Sequence, residues 1–209
     1  MKIAIIAANG QAGQVLTQEA VERGHQVTAI VRSENKSQAQ EVIQKDALAL
    51  TKEDLASFDL VINAFGAWTA ETLPQHSQLA EHLTTLLATS PTRLLIVGGA
   101  GSLFLDETGQ LALKDSSDFP AEYLPIAEAM GEGLAIYRRA QDVNWLYLSP
   151  AADFDATGEK TGVYTLAGEI FQVNAKGESY ISYRDYALAL LDLAENSEHN
   201  QVRLSVLGQ

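Results

Sequence analysis

The sequence contains no cysteine. That excludes disulfides, a thiol nucleophile and a thiolate metal site, and it suits the reducing cytoplasm, the expected location. Positive charge is scarce: 14 Lys and Arg stand against 27 Asp and Glu, a formal net charge of −13. Such a surface repels nucleic acid and anionic membranes, so neither is an expected partner, although a local basic pocket for a phosphate is compatible with it. No apolar run approaches the roughly 18 residues of a membrane span. Lys2 is followed by the short run IAIIAA and then Asn9-Gly10, which reads as the opening strand of a domain, not as a secretory leader. Internal repeats, low-complexity tracts and linkers rich in Pro, Gly or Ser are also missing. What is present, 46% hydrophobic and 20% charged residues in 209, is enough for one well-packed core.

Apolar runs alternate with helical periodicity. Strands are expected at 2–7, 26–32, within 41–46, at 59–67, 93–101, 144–150 and 202–207, and helices at 11–24, 51–58, 73–89, 119–141 and 183–196. Gly24 is placed to cap the first helix, and Thr51 with Asp54 marks the start of another. This alternation predicts an α/β fold, one doubly wound parallel sheet over residues 1–209. Residues 150–182, with the β-like pieces GVYTL, EIFQV and SYIS, are the least regular part and the expected cover over the site.

The stretch Ala7-Ala8-Asn9-Gly10-Gln11-Ala12-Gly13 lies between the first strand and the first helix. In a dinucleotide fold, glycines there let the backbone approach a pyrophosphate at the helix N-terminus. A tight turn without ligand would also use such residues. Ala7 replaces the usual first glycine, which is tolerable if its φ stays negative. At the end of the second strand, where an acid would bind a ribose 2′-hydroxyl, the chain has Arg32, then Ser33 and Lys36. Arginine can hold a 2′-phosphate, so NADP(H) is favoured over NAD(H), although Glu34 keeps NAD open and a solvated surface arginine is the plain alternative.

The loop AANGQAG resembles the GATGxxG loop of atypical short-chain dehydrogenase/reductase-like proteins. VINAFG, RLLIVGGAGSL, LSPAADF and GESYISYRDYALALLD resemble a narrower group within it: the NmrA-like, NAD(P)-binding proteins grouped as NADH-flavin reductases, with similarity to biliverdin reductase B. The resemblance implies roles by position. Ala8, Asn9, Gly10, Gln11, Ala12 and Gly13 would line the pyrophosphate; Arg32 and Ser33 would hold the adenosine phosphate; Asp46 and Ala47 would lie near adenine. Ala64, Phe65 and Gly66 would border the nicotinamide ribose, with Gly98, Gly99, Ser102, Ser149, Pro150 and Ala151 beside the nicotinamide.

None of the seven tyrosines has lysine four residues later, so the usual Tyr-Lys route of carbonyl reduction is not expected. Hydride transfer to a flavin, quinone or similar conjugated acceptor needs no such pair, because stacked rings and water exclusion suffice. The flavin would then be a substrate and not a prosthetic group. Ser102, Tyr123 and Phe154 are candidate pocket residues, with Phe65 and Trp68 as walls or simple core. A non-catalytic sensor of NADP redox state, acting through a protein partner, is the main rival reading, and an isomerase or dehydratase using the nicotinamide transiently is a third. The acceptor is expected to be a small molecule and the protein a monomer or homodimer. His76 and His82, six apart, do not have metal-ligand spacing on a helix. Asp153 and Asp155 read as solvated loop carboxylates, Arg138, Arg139, Glu128 and Glu132 as a solvated helix face, and Asp185 as a structural residue at a helix start.

Overall fold

The computed structural model describes residues 1–196 and 198–209. The chain runs β1 (Lys2–Ile6), α1 (Gln11–Glu22), β2 (Gln26–Val31), β3 (Glu41–Gln44), α2 (Lys52–Leu55), β4 (Leu60–Asn63), α3 (Gln75–Leu87), β5 (Arg93–Val97), α4 (Leu124–Arg139), β6 (Trp145–Ser149), β7 (Asp153–Asp155), β8 (Tyr164–Ala167), β9 (Tyr180–Ser182), α5 (Tyr183–Glu195) and β10 (Val202–Gly208). Eight strands make one sheet in the order β3-β2-β1-β4-β5-β6-β10-β8. Every neighbouring pair is parallel except β10 with β8. The strand order reverses between β1 and β4, and the crevice at such a switch point is where open α/β sheets hold ligands.

The sheet is covered on both faces, which explains why its strands read as continuous apolar runs. Ile3 and Ile5 point into a core shared with Leu16 of α1 and Leu190 of α5. Ala4 and Ile6 point the other way, into a core with Leu79 and Leu83 of α3 and Leu134 and Tyr137 of α4. Gly24 has φ +80, its N–H donates to the Val21 carbonyl at 2.9 Å and His25 N–H to that of Ala20 at 3.1 Å. This is the paired-bond C-cap that Gly24 was expected to supply. Thr51 and Asp54 form the expected reciprocal cap, but the helix behind it spans only Lys52–Leu55.

Several expectations need correction. Ala7 has φ +59, not a negative value. The chain leaves β1 through a left-handed residue, and an alanine there carries strain of about 1 kcal/mol. Its N–H still donates to Ile30 O at 3.0 Å and its carbonyl accepts from Gly10 N–H at 2.9 Å, so the turn is over-determined by bonds on both sides. The strands expected at 59–67 and 93–101 stop at Asn63 and Val97, and the remainder of each is loop.

Asp153 and Asp155 lie on β7, which pairs with β9, and not in a loop. Asp155 accepts from Tyr180 Oη at 3.1 Å. EIFQV forms no strand; Ile170 makes a lone bridge to Phe104. Within 150–182, β8 extends the main sheet, pairing Ala167 with Ser205. Asp185, 2% exposed, accepts from Thr161 N–H at 3.0 Å and Gly162 N–H at 2.8 Å. Its role is structural: it ties this segment to the start of α5.

Candidate functional site

The residues after β1, β2, β4, β5 and β6 gather at one edge of the sheet. Gly10 precedes α1 in an extended conformation, with no side-chain cap and no acid in the first turn. The first intrahelical bond is Gln14 N–H to Gly10 O at 2.9 Å, so the N–H groups of Gln11, Ala12 and Gly13 have no acceptor within the helix. A Cβ on Gly13 would run into the Ala7 carbonyl oxygen and lie 2.8 Å from Ala8 Cα. Gly13 is therefore glycine so that α1 can press against the end of β1. Ala8 is fully buried beneath the loop. Free N–H groups at an uncapped helix start, on a loop packed this closely, fit a pyrophosphate.

Asn9 turns its side chain away from that helix start. Its Nδ2 donates to Glu34 O at 2.8 Å and lies 3.4 Å from Ser33 Oγ, and its Oδ1 accepts from Lys36 N–H at 2.7 Å. Arg32 and Ser33 are exposed at the end of β2. The ion pairs among the described residues use Arg23, Lys45, Lys114, Arg138, Lys160, Arg184, Arg203 and His25. Arg32 and Lys36 take part in none of them. Asp46 accepts from Leu48 N–H at 2.9 Å and caps the short turn that begins at Ala47.

After β4, Ala64 N–H reaches Ile6 O at 3.2 Å, Phe65 N–H reaches Asn63 Oδ1 at 3.1 Å, and Gly66 is exposed. After β5, Gly98 has no room for a Cβ because the Tyr147 ring fills that space. Gly99 N–H donates to Tyr147 Oη at 3.1 Å. Ser149, Pro150 and Ala151 are buried, forming floor and not rim.

The three pocket candidates have different surroundings. Ser102 gives its carbonyl to Arg203 Nη2 at 3.2 Å and has its hydroxyl 3.4 Å from Nη1. Tyr123 is 47% exposed before α4. Phe154 is sandwiched against Tyr183 and Tyr186, with ring centroids 4.0 and 4.8 Å away. Trp68 is 68% exposed, so it is not core.

The cavity beneath the loops after β4 and β5 is lined instead by Asn63, Phe65, His76, Met130, Tyr137 and Tyr147. Of these, the sequence points to Phe65 alone as a site residue; His76 stands out there only as a histidine without metal-ligand spacing. A lone amide ending an apolar strand, Asn63, is the signal that could have pointed to this cavity. Its Nδ2 donates to Tyr137 Oη at 3.2 Å. Burial lowers the pKa of His76, opposed by its hydrogen bond to Ala67, so the imidazole is neutral at pH 7. Its Nε2 lies 3.2 Å from Ala67 O. His82 Nε2 lies 2.9 Å from Leu50 O, away from this cavity.

Burial pushes the Tyr147 phenol up to about 12 and that of Tyr137 higher still. A phenol that works as a proton relay needs its pKa brought down toward the working pH. These two are displaced the opposite way.

Arg203 is a further residue that the sequence does not single out. It is 1% exposed on β10. It pairs with Glu169, approaches Ser149 Oγ at 3.4 Å and lies over the Phe104 ring at 5.9 Å. Glu169 also pairs with Arg138 at 2.7 Å, so Arg138 is more than a solvated charge.

A profile of NAD(P)H-binding proteins matches residues 7–197. The curated Bacillus subtilis protein YwnB, itself uncharacterized, is 47% identical over all of this chain and 99% of its own length. A crystal structure from Streptococcus pneumoniae TIGR4, of a protein provisionally assigned as an NADH-flavin reductase, superposes with a TM-score of 0.98 at 56% identity, covering 100% of both chains. A protein from Bacteroides thetaiotaomicron, provisionally assigned as an epimerase, superposes at 0.87 with 34% identity, covering 99% of this chain and 96% of the other. The profile match and these full-length relatives place the chain in the NAD(P)H-binding family.

Proposed function

We propose that this protein is an NADPH-dependent oxidoreductase that passes hydride to a flavin, quinone or similar conjugated small molecule. The observation that carries the cofactor preference is the exposed Arg32, outside every ion pair among the described residues and followed by Lys36, at the end of β2. On a chain of net charge −13, two such cations at that strand end favour a 2′-phosphate. The pyrophosphate would rest on the free N–H groups of Gln11, Ala12 and Gly13.

When bound, reduced nicotinamide supplies the hydride. The protein would supply orientation and exclude water, with the accompanying proton drawn from solvent. Support for this division of labour comes from the buried, unactivated phenols of Tyr137 and Tyr147 and from the absence of a Tyr-x-x-x-Lys pair. The pneumococcal relative supports a flavin as acceptor, taken up as substrate. Residues 150–182 would flank the acceptor, and the protein would work in the cytoplasm.

Titration of the purified protein with NADPH and NADH tests the cofactor half. Binding of NADPH at least about tenfold tighter is expected, the size of one charge-assisted contact. Equal affinities would remove the preference.

A further inference from the structure

We infer that Asn9 is a positioning residue for cofactor choice: it straps the loop after β2 into the shape that presents Arg32 and Lys36 to a 2′-phosphate. This rests on the preference proposed above and adds a residue that no base or phosphate contact would reveal. The resemblance placed Asn9 at the pyrophosphate, but its side chain spans to the neighbouring loop. It donates to Glu34 O at 2.8 Å and accepts from Lys36 N–H at 2.7 Å, with Ser33 Oγ 3.4 Å away. Gln14 fixes the backbone at the same residue, donating to Asn9 O at 2.9 Å. The strap is thereby anchored to α1.

The loop needs such a strap. Residues 32–40 hold no helix or strand, and Arg32 and Lys36 stand on either side of the exposed Glu34. A second side-chain clamp, Asn35 Oδ1 accepting from Ser37 N–H at 3.0 Å, closes residues 35–37 on themselves but does not tie them to the loop after β1. Asn9 is suited to its task because one amide donates and accepts at once, on partners two residues apart. Aspartate lacks the donor, and a hydroxyl side chain is too short to reach both. With the loop already ordered, Arg32 and Lys36 lose less freedom when they meet the phosphate. A cofactor without that phosphate does not draw on them and gains nothing from the strap.

The test uses the full-length protein and two variants, Asn9→Ala and Asn9→Thr, the second keeping a polar side chain on the pyrophosphate loop. Dissociation constants for NADP+ and NAD+ are measured by calorimetry, and thermal unfolding confirms folded protein. Weakening of NADP+ by about tenfold, with NAD+ changed by less than about threefold, is expected in both variants. Equal losses for the two cofactors, or an unchanged ratio, would overturn the strap and leave Asn9 as part of the pyrophosphate loop. A wild-type protein that binds NADP+ no better than NAD+ would overturn it by a different route, through the preference itself.

Discussion

Arg32→Glu weakens NADPH binding by about 2 kcal/mol or more, close to thirtyfold, and leaves NADH binding nearly unchanged. Two effects add. A guanidinium that could fork onto the 2′-phosphate is lost, and a carboxylate that repels it takes its place. Arg32 is exposed and forms no ion pair among the described residues, so the substitution leaves no buried partner stranded and should hardly alter stability. That separates a binding effect from a folding effect. Fluorescence titration with both cofactors checks it, and unchanged NADPH affinity would remove Arg32 from the site.

Glu169→Gln destabilises the fold by about 2–3 kcal/mol. Removing one partner of a buried pair typically costs about 3–5 kcal/mol, because the other charge stays buried without compensation. The lower figure applies because the Glu169 side chain is 39% exposed and water screens part of the loss. Arg203 is the stranded partner, wholly inside, where Ser102 and Ser149 offer only neutral contacts. Denaturant unfolding of both proteins measures the difference.

The pH dependence has a definite sign. Burial raises the Glu169 pKa, but Arg203 and Arg138 more than reverse that, so the carboxyl sits below its ordinary value of 4.5 in the folded protein. Its contribution is complete above the unfolded value and disappears as the pH falls through the lower, folded one. The gap between wild type and Glu169→Gln should therefore be constant at neutral pH and shrink below about pH 4.5. A gap that widens on acidification would contradict the pairing.

These two substitutions also mark what could and could not be read from the chain. The position of Arg32 at a strand end was legible because it follows an apolar run, a local pattern. Gly13 and Gly24 were legible for the same reason: each is demanded by backbone geometry within a few residues. The left-handed Ala7 escaped because an alanine carries no sign that its φ is positive. Arg203 and Glu169 lie 34 residues apart and meet because β8 pairs antiparallel with β10, Ala167 opposite Ser205, an adjacency that periodicity does not encode.

The cavity residues show the same limit. Asn63, His76 and Met130 come from β4, α3 and α4, and converge only once the helices pack over the sheet. Ser102 and Phe154, which looked available in sequence, are engaged by Arg203 and by two tyrosines. A serine or a phenylalanine gives no local indication that a distant strand will claim it.

The most direct measurement is NADPH consumption by the purified protein, followed by absorbance, against FMN, FAD, riboflavin and a set of quinones, with NADH in parallel. Saturable turnover with at least one of these acceptors, faster with NADPH than with NADH at low cofactor concentration, is the expected result. Tight NADPH binding without turnover on any acceptor would contradict it, and would point to a protein that senses the cofactor instead of spending it.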